Sequence, residues 1–384
     1  MSVDVLIYVE DPGAANYVAG LPSELDRLGW KVYLAARGFG HSHLQGMEVE
    51  AGDVPESVSA EDLLMRLSPK VVVVGTSENT ETLAFELVAA AKRNRMITVG
   101  AVDAFGNAQH RFRGNSPDPL SHVPDWLIVP DELTKKAYVD LGHPAGRTIV
   151  CGHPHYDRVH DTRNRLEDVG TAESKASLFP GCPEASSVVV FVSEVSTGLG
   201  PDQYKKSSDY TLEGRGDRTD RTGIVIEEFL DASAGLEPRP YLVLRMHPKN
   251  REEDFGSLLW EFDQISRAEP SLELVYTADL VVGMTTMLLQ EAAIVGTRTL
   301  SIVPRESEKM SLPTVRAGIT PSVATRKDLR EVLPRLMSER GNDFLKAVEA
   351  MFPYGSLGRA AEFIESLIID RSHEGPSVQE SGVI

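Results

Sequence analysis

The chain has 384 residues, 57 acidic against 39 basic, and a formal net charge of −18, which repels nucleic-acid phosphates and excludes nucleic acid as a partner. Hydrophobic residues at 41% and charged residues at 25% describe an ordinary globular protein, and the length favours two domains over one. Cys151 and Cys182 are too few for a disulfide framework or a structural zinc site, and no apolar run reaches membrane-spanning length, so a cytoplasmic protein is expected.

Short β-branched runs alternate with helical periodicity from the first residues. Residues 3–9 (VDVLIYV) read as a strand, 14–28 as a helix and 31–36 as a second strand. Strands follow at 70–75, 96–102, 126–129 and 148–152, with helices over 80–92 and from 131, which closes a first domain at 1–157. Continuous apolar strands of this kind are buried on both faces, as parallel strands between helix layers must be. Residues 158–185 are charged and end in Pro180, Gly181 and Pro183, and read as a linker or loose helix followed by a turn.

A second domain is expected over 186–340, with strands at 186–192, 240–247, 272–276, 279–284 and 298–303 and helices at 224–236, 252–265 and from 285. Helical segments close the chain over 341–369, and 370–384 lacks apolar periodicity, as a disordered tail does. Residues 194–223 form a glycine-rich, charged insertion after a central strand, a length at which loops are functional or disordered. The fold class is therefore α/β, two doubly wound domains, with ligands at the carboxyl ends of their strands.

Two segments of the second domain suit phosphate. The strand end LRMHPKN gathers Arg245, His247 and Lys249, cations that either meet a phosphate or solvate the strand end. In DLVVGMTTMLLQEA, Gly283, Thr285 and Thr286 lie between strand and helix, where free amides and hydroxyls meet an anion unless one threonine is an ordinary cap. Glu291, further along that helix, either accepts ribose hydroxyls or is a structural helix residue.

These pieces, with EDPGAAN, VDAFGNAQHRF, PDWLIVPDE, VCGHPHYD and FVSEVS, make the chain resemble GT-B glycosyltransferases from residue 5 to about residue 368, with the closest likeness to bacterial polysaccharide-type transferases. The resemblance implies two Rossmann-like domains facing a cleft, and transfer of a sugar or polyol-phosphate group from a nucleotide-activated donor to an acceptor hydroxyl in glycan or glycoconjugate biosynthesis. The nucleotide is then a substrate, and neither cofactor nor metal is required. The likeness places the donor phosphates on His247, Thr285 and Thr286 and the ribose on Glu291. Non-hydrolysing nucleotide-sugar 2-epimerases share the fold and are the alternative, as is a nucleotide-binding protein without catalysis. The epimerases carry a His-Arg-Arg-Glu-Asn type segment after the first strand of the second domain, where this chain has SEVSTGLGPDQ.

Asp103, after the strand at 96–102, is the leading candidate for the catalytic base, with Asn107 and Arg111 beside it on the acceptor side; alternatively Asp103 forms a turn and pairs with Arg111. Asp11, with Glu10, is the second choice, unless it caps the next helix. HPHYDRVH at 153–160 has histidines and Asp157 without helical metal-ligand spacing, so packing or ligand contact is expected there. GFGH at 38–41 has too few glycines for a dinucleotide fingerprint. Peripheral membrane contact and homo-oligomer formation are both compatible with this sequence.

Overall fold

The structure, a computed structural model, describes residues 2–77, 79–104, 106–169, 171–195, 205–339, 341 and 343–373. It divides into two units, residues 1–157 with 353–384, and residues 158–352.

Unit 1 contains β1 (Val5–Val9), α1 (Pro12–Val18), α2 (Leu21–Arg27), β2 (Val32–Ala36), α3 (Gly38–Gly46), β3 (Gly52–Asp53), α4 (Ala60–Leu67), β4 (Val71–Gly75) and α5 (Leu83–Arg93). It continues with β5 (Ile97–Ala101), α6 (Ala108–Arg111), β6 (Trp126–Val129), α7 (Glu132–Asp140) and β7 (Thr148–Val150). The seven strands form one parallel sheet in the order β3-β2-β1-β4-β5-β6-β7. Central β1 (VLIYV) and β4 (VVVVG) are buried at every position, which is why they read as unbroken apolar runs. The order reverses between β1 and β4, and in open α/β sheets such a switch point leaves a crevice at the strands' carboxyl ends.

The helix expected over 14–28 is two helices, because Gly20 precedes α2 and Pro22, near its start, cannot donate the amide a continuous helix needs. Gly40 donates its amide to the Glu10 carbonyl, and a Cβ there would stand 2.7 Å from the Glu10 carbonyl carbon. The glycine of GFGH thus permits a close backbone approach behind β1.

Helix α8 (Pro154–Val169) begins in unit 1 and ends in unit 2, and α9 (Thr171–Leu178) follows, so the expected linker is largely helical. Unit 2 then contains β8 (Val188–Val192), α10 (Arg221–Ser233), β9 (Tyr241–Arg245), α11 (Glu252–Phe255), β10 (Gln264–Ser266), α12 (Ser271–Thr277), β11 (Leu280–Gly283), α13 (Met287–Ile294), β12 (Thr299–Ile302), α14 (Pro313–Arg316), β13 (Ser322–Val323), α15 (Arg326–Ser338) and α16 (Leu345–Met351). Its six strands are parallel in the order β10-β9-β8-β11-β12-β13, with the switch point between β8 and β11.

Two expectations fail around the edge strand. The helix at 252–265 stops at Phe255 because Gly256 takes a left-handed φ of +57°, and a 3-10 segment carries the chain to Glu261. The strand at 272–276 is helix α12, entered after Pro270, while the edge strand is the three-residue β10 paired with β9. Of the 194–223 insertion, 196–204 lie outside the described residues. The rest is tied down: Lys205 bridges to Asp220, Arg215 pairs with Asp231 and Glu261, and Leu212 is buried in the core with Phe229.

The last helix, α17 (Ser356–His373), belongs to unit 1. Ala360, Ala361, Ile364, Leu367 and Ile368 join the core that contains Val5, Ile7, Leu21 and Leu25. Asp157 closes its N-terminus: Oδ1 accepts from Gly355 N at 3.0 Å and Ser356 N at 3.1 Å, and Oδ2 from Leu357 N at 2.8 Å. The expected tail beyond residue 373 lies outside the described residues. Among the described residues no helix is long and apolar enough to cross a membrane.

Candidate functional site

In unit 2 the carboxyl ends of β8 and β9 are locked together. Ser193 Oγ donates to Asn250 Oδ1 at 2.7 Å, and the His247 amide donates to Ser193 Oγ at 2.9 Å and to Asn250 Oδ1 at 3.1 Å. The Lys249 amide then donates to His247 Nδ1 at 3.1 Å. With Nδ1 committed as an acceptor, the neutral ring carries its proton on Nε2. Burial, helped by Lys249, pushes the His247 pKa down, so the neutral donor form prevails at pH 7.

Across the switch point, Thr286 is the N-cap of α13, its hydroxyl accepting from Leu288 N at 3.4 Å. His247, Lys249, Thr285 and Thr286 line one cavity of about 690 Å³ together with Glu194, Arg221, Met287, Glu308 and Ser311. Arg245, Gly283 and Glu291 do not line this cavity. Arg245 is buried and donates to Ser266 Oγ at 2.9 Å and Ser271 Oγ at 2.7 Å, with Glu269 at 3.7 Å, so its guanidinium is engaged toward β10. Gly283 is explained by packing, since a Cβ there would stand 2.6 Å from Val192 Cγ2. Glu291 is half-buried on α13 and does not line the cavity.

The Thr285 amide and hydroxyl are already engaged by a carboxylate. Glu194 Oε1 accepts the Thr285 amide, and its Oε2 accepts from Thr285 Oγ1 at 3.2 Å and from Arg221 Nη1 at 2.7 Å. Arg221 reaches Glu308 on its other side. Burial opposes the Arg221 charge, but the Glu194 and Glu308 carboxylates outweigh it and raise its pKa.

In unit 1 the strand ends supply a second polar group. Asp103 Oδ1 accepts from Thr76 Oγ1 at 2.7 Å and from Arg111 Nη1 at 2.8 Å, and its Oδ2 lies against Gly13. The Asp103–Arg111 pair weighed from sequence is thus formed, with Arg111 further fixed by the Gly106 carbonyl at 3.0 Å. Asn107 is exposed at φ +61° as the N-cap of α6, without a side-chain cap. Asp11 stands at the N-cap of α1 but makes no side-chain cap bond, while Glu10 accepts from Tyr8 and from the Leu83 amide.

Of the HPHYDRVH histidines, His153 is buried between Tyr17 at 4.9 Å and Tyr156 at 4.7 Å, and burial lowers its pKa to about 3. His160 bonds the Phe352 carbonyl at 2.8 Å. Among the described residues no three His, Cys, Asp or Glu side chains converge as a metal-ligand set.

Neither a protein-family model nor a curated protein matches the chain. Solved structures do. UDP-GlcNAc 2-epimerase from Neisseria meningitidis, bound to UDP-GlcNAc, superposes with a TM-score of 0.62 at 15% identity, covering 97% of this chain and 100% of its own. The wall teichoic acid polymerase TagF matches at 0.56 and 11% identity, covering 96% of this chain and 90% of its own. HepE from Anabaena, in complex with UDP, also matches at 0.56 and 11%, covering 95% and 99%. The chain has the GT-B fold.

Within this GT-B chain the residues that sequence reading missed are Glu194, Arg221 and Glu308. Glu194 had a signal, since it stands two residues after a central strand, as Asp103 does after β5. Arg221 and Glu308 had none, because they reach the cavity from a helix start and from a short 3-10 segment after β12.

Proposed function

We propose that this chain is a transferase that binds a nucleotide-activated sugar or polyol in unit 2 and passes the activated group to an acceptor hydroxyl. One observation carries the reading: the His247 loop and the Thr286 cap open on a single cavity at the switch point of unit 2. There His247 Nε2–H, the Lys249 ammonium and the Thr285 and Thr286 hydroxyls are hydrogen-bond donors of the kind a diphosphate takes. The UDP-GlcNAc and UDP carried by the epimerase and HepE structures support a nucleotide ligand.

As the bond from the anomeric carbon, or from the transferred phosphorus, to the leaving phosphate oxygen breaks, charge collects on that oxygen, and Lys249 and His247 stabilise it. The attacking acceptor oxygen forms the new bond and loses its proton to a general base, a role we propose for the Asp103 carboxylate, which is held by Thr76 and Arg111. We prefer transfer to epimerisation because SEVSTGLGPDQ stands where a resemblance to the 2-epimerases would call for a His-Arg-Arg-Glu-Asn type segment.

Calorimetry with CMP, CDP, UDP, GDP and ADP tests the reading. One nucleotide should bind the wild type and lose about tenfold or more in His247→Ala, the loss of one charge-neutral donor to phosphate. Asp103→Asn should retain nucleotide binding and lose turnover. Absence of nucleotide binding removes the phosphate site, and an epimer formed from the nucleotide-sugar alone replaces transfer by epimerisation.

A further inference from the structure

We propose that Glu194 is a built-in competitor for the anion position of unit 2, a carboxylate that closes this position to ligands with a single phosphate group and yields it to a diphosphate. The inference rests on the reading of the cavity as a phosphate site and adds a residue that raises the affinity a ligand needs in order to enter it.

The Glu194 carboxylate contacts the groups an incoming phosphate oxygen would contact. Its Oε1 takes the Thr285 amide at the head of the eight-residue α13, and its Oε2 takes the Thr285 hydroxyl and the Arg221 guanidinium. Arg221 is 5% exposed and has carboxylates on two sides, so its positive charge is matched inside the protein before any ligand arrives. A ligand with one anionic group only exchanges one carboxylate for another anion and must also displace Glu194. A diphosphate replaces Glu194 with its first phosphate and reaches Lys249 and His247, which line the same cavity, with its second. The cost of displacing Glu194 is the same for both ligands, but only the diphosphate offsets it through Lys249 and His247, so the diphosphate binds where phosphate does not.

The rival explanation is bulk charge: any carboxylate near Arg221 would repel an anion equally. Glu308 separates the two, because it pairs with Arg221 but does not touch Thr285. The test is calorimetric titration of wild type, Glu194→Gln and Glu308→Gln with inorganic phosphate and inorganic pyrophosphate. A gain of about tenfold or more for phosphate and pyrophosphate alike in Glu194→Gln, and no comparable gain in Glu308→Gln, is the expected result. Equal gains in the two variants, or no gain in Glu194→Gln, overturn the proposal. If Glu194→Gln does not fold, Glu194→Asp retains the counter-charge of Arg221 but withdraws the carboxylate by one methylene, and the same comparison decides. Tighter pyrophosphate in the variant with no nucleoside diphosphate bound by either protein leaves the Glu194 role standing and removes the donor reading instead.

Discussion

Replacing Asp157 by alanine should loosen the C-terminal helix from unit 1. Three amides, of Gly355, Ser356 and Leu357, donate to this one carboxylate, which is 7% exposed. Hydrogen bonds to a charged acceptor contribute about 1.5 kcal/mol each at the low end, so the truncation costs about 3 to 5 kcal/mol. For a unit of this size that is a fall in melting temperature of roughly 10 °C. Asp157→Asn retains one acceptor oxygen and loses the charge, and should cost about half as much. Tryptophan fluorescence in urea reads the effect where it occurs: Trp30 Nε1 donates to Glu365 Oε1 at 3.0 Å, and Trp126 stacks edge-on with Phe363 at 5.5 Å, both on α17. The third tryptophan, Trp260, is 89% exposed in unit 2 and is removed as a background signal by Trp260→Phe. A cost below 1 kcal/mol in Asp157→Ala, or an unchanged transition of Trp30 and Trp126, would refute the clasp.

Tyr138 is fully buried with no partner for its hydroxyl, so Tyr138→Phe should be neutral or stabilise by about 1 kcal/mol in chemical denaturation; a loss of that size would show a hidden partner. His153 stays neutral in the fold down to about pH 3, whereas its unfolded pKa is 6.5. The unfolded state therefore gains a proton that the folded state refuses, and stability that is complete above pH 6.5 falls by about 1.4 kcal/mol per unit as pH drops toward 3. Between pH 7 and pH 5 the wild type should lose about 2 kcal/mol more than His153→Phe, and parallel curves would exclude His153 as the cause. Arg245→Met should alter nucleotide affinity less than threefold, since Ser266 and Ser271 hold the guanidinium; a loss matching His247→Ala would return Arg245 to the phosphate site.

The central strands were legible because burial on both faces leaves them no choice but β-branched apolar residues, as in VVVVG of β4. Edge elements were not. The three-residue β10 leaves no periodicity to read, and LELVY places apolar residues at spacings that suit strand and helix alike, so Pro270 and the tertiary packing of Leu274 and Val275 decided for α12. At the candidate site, His247, Lys249, Thr285 and Thr286 were found because each follows a strand of the central pair or its neighbour. Arg245 turns toward β10 instead of the cavity because the direction a strand-end side chain takes depends on its edge neighbour, here Ser266. The Glu194–Arg221–Glu308 chain joins residues more than a hundred positions apart, a relation visible only once β8, β11 and β12 lie side by side.

The return of α17 to unit 1 also sets the order in which the molecule is completed during synthesis. The seven strands of unit 1 leave the ribosome first, yet the core of Val5, Ile7, Leu21 and Leu25 lacks part of its cover until Ala360 through Ile368 have emerged. All of unit 2 is made in the interval, so the unit that begins first is finished last. A chain stalled or cut before residue 353 would hold a whole unit 2 beside an N-terminal sheet with an open apolar face, the kind of surface on which nascent proteins aggregate or recruit chaperones.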